Sequence, residues 1–186
     1  VARIMASGGL ITFEGGEGTG KSTQAARLAQ GLAADGLEVV ATREPGGSPG
    51  AEAIRDLLVR GAADRWSAAS EALLLYAARR DHIERLIAPA LERGAIVVCD
   101  RFADSTRAYQ GVAAEGPMDL IAALEALVLK GVQPDLTLIL DLPAKTGLAR
   151  AAGRKGIDTR FETKGVAFHQ KLREAFLAIA KAEPER

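Results

Sequence analysis

Four short apolar runs punctuate the chain, at Leu10 to Phe13, Leu37 to Ala41, Ala95 to Cys99 and Leu136 to Leu142, each rich in β-branched or aliphatic residues. Runs of this length without polar alternation predict strands buried on both faces. Between and after them, apolar positions recur at helical spacing over about Lys21 to Ala34, Gly50 to Val59, Ala68 to Arg93, Ala103 to Val112, Met118 to Lys130, Pro143 to Ala152 and Phe161 to Ala182. Pro89 is expected to bend or interrupt the third of these. Alternating strand and helix predicts an α/β fold, a parallel sheet flanked by helices on both faces, with ligands at the carboxyl ends of the strands. Such folds usually carry one more strand and helix. Because the sequence stops at Glu183-Pro184-Glu185-Arg186, the final strand and helix are expected to be missing and one sheet edge unpaired.

The first apolar run leads straight into Gly15-Gly16-Glu17-Gly18-Thr19-Gly20-Lys21-Ser22-Thr23, which matches the G-x-x-x-x-G-K-[ST] phosphate-binding loop with a helix directly behind it. Glycines at this spacing let successive backbone N–H groups wrap an anion, Lys21 reaches the β- and γ-phosphates of a nucleotide, and Ser22 holds Mg²⁺. A turn before an amphipathic helix would explain the glycines alone. It would not explain strand, spacing and helix together.

Composition narrows the classes. The 186 residues are 48% hydrophobic, enough for one sizeable core, and a single domain over residues 1–186 is expected. Twenty-four basic and twenty-four acidic side chains cancel, so no global field draws the chain to a nucleic acid polymer or a membrane. Cys99, alone in an apolar run, predicts a core thiol and a reducing compartment, hence a cytoplasmic protein. His82 and His169 lack metal-ligand spacing, and Val1 to Gly9 lack the features of an export signal.

Further polar clusters fall where strands end. Thr42-Arg43-Glu44-Pro45-Gly46-Gly47 follows the second run, as a ligand-edge loop or a polar turn with a surface ion pair. Asp100-Arg101-Phe102 follows the third; an acid there suits a Mg²⁺ shell and Arg101 suits a bidentate phosphate contact. Thr106, Tyr109 and Gln110 share a helical face and offer hydroxyl and amide groups to a sugar or base, while Tyr76, Arg79 and Arg80 interrupt an apolar helix. Arg150, Arg154, Lys155 and Arg160, with Gly153 and Gly156 between them, suit a mobile lid at about residues 150–160.

In order along the chain, Phe-Glu-Gly-Gly-Glu-Gly-Thr-Gly-Lys-Ser-Thr, Thr-Arg-Glu-Pro-Gly-Gly, Asp-Arg-Phe, Ser-Thr-Arg-Ala-Tyr-Gln-Gly and Pro-Asp-Leu-Thr-Leu-Ile-Leu-Asp resemble the bacterial thymidylate kinase family. The resemblance implies a P-loop kinase fold, usually a homodimer, that converts dTMP and ATP to dTDP and ADP with Mg²⁺. It implies nucleotide-binding roles for Gly15 to Thr23, with Ser22 and Asp100 at the metal. Glu17, Arg43, Glu44, Pro45, Leu75, Arg79, Arg101, Thr106, Tyr109 and Gln110 would bind the acceptor, and Lys21, Arg101, Arg154 and Arg160 would be catalytic. Two positions depart from the family pattern. Leu75 stands where an aromatic commonly stacks on thymine, so either it or Tyr76 packs on the base, and Thr159 separates an acid and a base that are often adjacent, leaving the choice among Arg150, Arg154 and Arg160 open.

An acceptor phosphate monoester has a second pKa of ~6, so transfer to it needs no general base, and no histidine is required. Rival readings are another nucleotide or nucleoside kinase, acting on dUMP, CMP or a deoxynucleoside, and a P-loop ATPase scaffold. A GTPase-type switch is disfavoured because its guanine reader needs asparagine, and the chain has none.

Overall fold

The computed structural model describes residues 7–62, 64–153 and 160–186. Strands β1 (Gly9–Glu14), β2 (Val39–Arg43), β3 (Ile96–Asp100) and β4 (Leu136–Ile139) form one parallel sheet in the order β2-β3-β1-β4. Helix α1 (Lys21–Ala34) follows β1, and α2 (Pro49–Val59) and α3 (Ala68–His82) follow β2. A π-helical turn (Ile83–Ile87) and α4 (Ala88–Glu92) lead to β3. After it come α5 (Ala103–Thr106), a second π-helical turn (Arg107–Ala113) and α6 (Met118–Leu129); β4 is followed by α7 (Ala144–Ala152) and α8 (Val166–Ala182). No helix among the described residues is long and apolar enough to cross a membrane.

Successive residues of β1 and β3 serve opposite faces, which is why these runs do not alternate apolar with polar. Leu10, Val97 and Cys99 pack with Ile83, Ile87, Phe102 and Leu129 on one side; Ile11, Phe13, Ile96 and Val98 pack with Ala25, Ala29 and Leu32 of α1 on the other.

Element boundaries differ from the apolar pattern for local reasons. The second strand starts at Val39 because Leu37 belongs to the end of α1: its N–H donates to Leu32 O and that of Gly36, at φ +83°, to Ala33 O, a Schellman closure. The fourth strand ends at Ile139, opposite Glu14, the last residue of β1; just beyond, Gly15 runs so close to Leu140 that a Cβ would lie 2.4 Å from its carbonyl oxygen. The long helix expected from Ala68 to Arg93 is interrupted just ahead of Pro89, as a π-helical turn takes up the register that a ring without an N–H cannot continue. Gly165 is the N-cap of α8, so residues 160–164 form turns and the helix begins at Val166.

Candidate active site

The sheet register places the site. Phe13 and Arg43 both pair with Asp100, so the chain leaves β1, β2 and β3 at one edge, with β1 central. Gly15, Gly18 and Gly20 adopt φ of +129°, +67° and +97°, which lets the loop turn back over the start of α1. Gly20 is the N-cap of α1 and supplies no side-chain cap, leaving the first N–H groups of that helix for an anion. Lys21 Nζ donates to Gly16 O at 2.6 Å. Burial, then the neighbouring Arg101, push its ammonium down to about 7 against the pull of Glu17, Asp100 and Glu14. A phosphate brought beside it would restore full protonation. Behind the loop, Gly18 and Gly147 of α7 touch backbone to backbone: a Cβ on Gly18 would meet Gly147 O at 2.0 Å, and one on Gly147 would meet Glu17 O at 2.3 Å.

At the end of β3, Asp100 Oδ2 accepts from the Ser22 hydroxyl at 2.5 Å, while its Oδ1 is buried without a hydrogen-bond partner. Arg101 sits at φ +72°, unusual for a residue with a side chain, and is held there by its N–H to Phe13 O at 2.9 Å. Its guanidinium donates to Gly15 O, Ser105 Oγ, Glu17 Oε1 and Tyr109 Oη, all at 3.0–3.1 Å. Burial alone would raise the Glu17 carboxyl; Arg101, Lys21 and the Tyr109 hydroxyl outweigh it and hold the group at about 2. Glu14, fully buried at the end of β1, takes the N–H groups of Phe102 and Ser105 and the Ser105 hydroxyl. Burial, and after it Asp104, raises its carboxyl to about 7.

A second group of buried polar side chains lies across the cavity. Arg79 Nε donates to Glu44 Oε2 at 2.7 Å, and Nη2 donates to Phe102 O and Thr106 Oγ1. His82 shares hydrogen bonds with Glu44 Oε1 at 3.1 Å and Thr42 Oγ1 at 2.8 Å. Arg79 Nη1 is left buried with no partner, a donor awaiting an acceptor. The Tyr76 ring lies 4.7 Å from the Arg79 guanidinium and its hydroxyl donates to Glu125, on the core side, whereas Leu75 lines the cavity.

These groups enclose a cavity of about 270 Å³. Lys21, Ser22, Thr23, Asp100 and Arg101 line it together with all ten residues expected at the acceptor, Glu17, Arg43, Glu44, Pro45, Leu75, Arg79, Arg101, Thr106, Tyr109 and Gln110. Gly18 and Gly20 also line it; Gly15, Gly16 and Thr19 line a smaller cavity behind the loop. Arg160 is not brought to the cavity. Its guanidinium is buried against the Leu58 and Ala62 carbonyls and pairs with Glu71 at 2.6 Å. Arg150 is exposed on α7, and Arg154 lies outside the described residues. Sequence reasoning missed Arg55, Leu58, Val59, Phe102, Ser105, Phe161 and Glu162, which also line the cavity, and the buried supports Glu14, Glu71 and His82. The helical spacing of Arg55 from Leu58 and Val59, one turn along α2, was the available signal for the first three.

A parallel sheet with a phosphate loop after its central strand, and a second polar cavity wall facing that loop, defines a P-loop phosphotransferase. The family model described as "Thymidylate kinase" matches residues 13–186. The chain is 66% identical over 182 residues to the thymidylate kinase of Caulobacter vibrioides, covering 98% of this chain and 87% of that protein. It is 54% identical over 183 residues to that of Ruegeria pomeroyi, covering 98% and 86%. The crystal structure of thymidylate kinase from Ehrlichia chaffeensis superposes with a TM-score of 0.76 at 37% identity, covering 95% of this chain and 83% of that one. The chain belongs to the thymidylate kinase family.

Proposed function

We propose that the cavity holds the ATP phosphates on the Lys21 side and dTMP on the Arg79 side, with Arg101 between the two anions. The chain phosphorylates dTMP to dTDP at the expense of ATP, as its family does. The observation that carries the placement is that Lys21 and Arg101, from separate segments, line one cavity with Arg79, whose Nη1 has no hydrogen-bond partner.

In this reading the loop N–H groups and Lys21 neutralise the donor phosphates, and Arg101 exchanges its contact with Glu17 for the acceptor phosphate. Arg55 and Arg43 add positive charge on the acceptor side. Tyr109 lies against the sugar, and Arg79, Thr106 and Gln110 meet the base edge, with Leu75 packing on its face. The Ser22 hydroxyl and the unpartnered Asp100 Oδ1 are oxygen donors of the kind Mg²⁺ takes. When bound, Mg²⁺ supplies charge neutralisation for the transferring phosphoryl group. Because the acceptor is already an anion near neutral pH, the protein positions and neutralises, and no side chain need take a proton.

The same reading takes the chain as a single domain acting in the cytoplasm, in keeping with its one buried free thiol, Cys99. It also takes the enzyme as a homodimer, with Leu57, Leu73 and Leu127, exposed on α2, α3 and α6, as apolar contact surface. Light scattering at micromolar concentration tests the dimer. An acceptor panel assayed for ADP release tests the substrate: dTMP is expected to be turned over far better than CMP or GMP and to raise the melting temperature where they do not. Equal turnover of CMP would overturn the assignment.

A further inference from the structure

Glu71, on α3 and 2% exposed, lies outside every motif read from the sequence. One carboxylate oxygen accepts from Gln110 Nε2 at 2.8 Å and the other from Arg160 Nη2 at 2.6 Å. Arg160, anchored to the Leu58 and Ala62 carbonyls, is a fixed cation that holds this carboxylate in place. An ionised carboxylate accepts hydrogen bonds and cannot donate them. A glutamine beside it must therefore turn its nitrogen toward Glu71, and its oxygen is the atom left for whatever enters the cavity that Gln110 lines.

We propose that Glu71 determines base specificity as a positioning residue, by fixing the Gln110 amide so that Oε1 is offered as an acceptor in the cavity that Arg79, with its unpartnered Nη1 donor, also lines. The inference rests on reading that cavity as a thymine pocket. Thymine presents a carbonyl O4 beside an N3–H, which complements a donor and an acceptor in that order. Cytosine presents an amino group beside an unprotonated N3 and opposes both. A Gln110 free to flip would accommodate cytosine N3 through its NH₂, and half of the discrimination would disappear. Such unpaired buried contacts discriminate by ~10²-fold or more.

The test compares kcat/KM for dTMP and dCMP in Glu71→Gln, whose amide can donate or accept, and in Glu71→Asp. The second variant keeps a negative charge opposite Arg160 and covers the case in which the first does not fold. The dTMP preference is expected to fall ~10-fold or more in Glu71→Gln and less in Glu71→Asp, through the acceptor KM, with the KM for ATP unchanged. In a Gln110→Ala background the same changes are expected to leave the preference where Gln110→Ala alone puts it. A preference equal to wild type in whichever Glu71 variant folds, or one that falls equally with and without Gln110, overturns the proposal. Wild-type protein that turns over dCMP and not dTMP overturns the thymine reading itself, independently of any variant.

Discussion

Gly147 offers a sharp test of how tightly the phosphate loop is held, because the substitution Gly147→Ala adds one methyl group at a helical position behind the loop that does not itself line the cavity. Its Cβ would lie 2.3 Å from the Glu17 carbonyl oxygen, where real Cβ atoms keep at least 3.0 Å, so one backbone must move by about 0.7 Å. Helix α7 is anchored by the buried Ala151 and by the Gly147 N–H to Pro143 O, whereas the loop is held through side chains, Lys21 and Thr19 on Gly16 O and Arg101 on Gly15 O and the Glu17 carboxylate. The loop is expected to yield. Alanine favours the helix by ~1 kcal/mol over glycine, and overpacking costs ~1–3 kcal/mol, so net stability should change by about 2 kcal/mol or less. Catalysis should suffer more, since a displacement approaching 1 Å costs up to ~10²-fold in rate. Coupled ADP-release kinetics with separate titrations of ATP and dTMP, alongside thermal melting, read both effects. Loss concentrated in the ATP dependence, with dTMP affinity retained, is the expected outcome. Values of kcat and KM for ATP within roughly twofold of wild type would refute the claim that this contact sets the loop.

Three other perturbations probe separate parts of the site. Arg101→Ala is expected to lower turnover ~10³-fold at saturating substrates while costing stability only ~1–3 kcal/mol, with Arg101→Lys a poor substitute; an unchanged rate excludes its role. Lys21→Ala should abolish ATP-dependent dTDP formation while circular dichroism and dTMP binding persist, and normal product formation would remove the loop from the mechanism. The Glu14 carboxyl, raised from the usual 4.5 to about 7 chiefly by burial, keeps its proton in the folded chain over a window in which the unfolded chain has lost it. Its contribution to stability is thus complete below about pH 4.5 and lost as pH rises through about 7; Glu14→Gln should gain on wild type by up to ~3 kcal/mol across that window in denaturant titrations, and a pH-independent difference would contradict it.

Much of this was legible in the residues because it is written in contiguous segments. The phosphate loop depends on glycine spacing, the buried strands on unbroken apolar runs, and Asp100 and Arg101 on following such a run. All of the residues expected around the acceptor do line one cavity. Local reasoning faltered where a side chain's partner is distant. Arg160 read as a lid cation, yet its guanidinium is spent on Leu58, Ala62 and Glu71. Tyr76 read as a rival to Leu75 for the base, yet its hydroxyl is drawn to Glu125 of α6. His82 belonged to no motif, yet it completes the Thr42–His82–Glu44–Arg79 chain.

The sequence by itself determined the order of strands and helices, the loop that wraps a phosphate and the family, because each follows from backbone preference and hydrophobic period over a few neighbouring residues. Only the tertiary structure decided which buried charges meet. Glu71 with Gln110 and Arg160, Glu14 with Ser105, and Gly18 against Gly147 come from segments far apart in the chain. A buried polar group must find its partner wherever packing delivers one, so those pairings, and the specificity they impose, exist only once the sheet has brought its edges together.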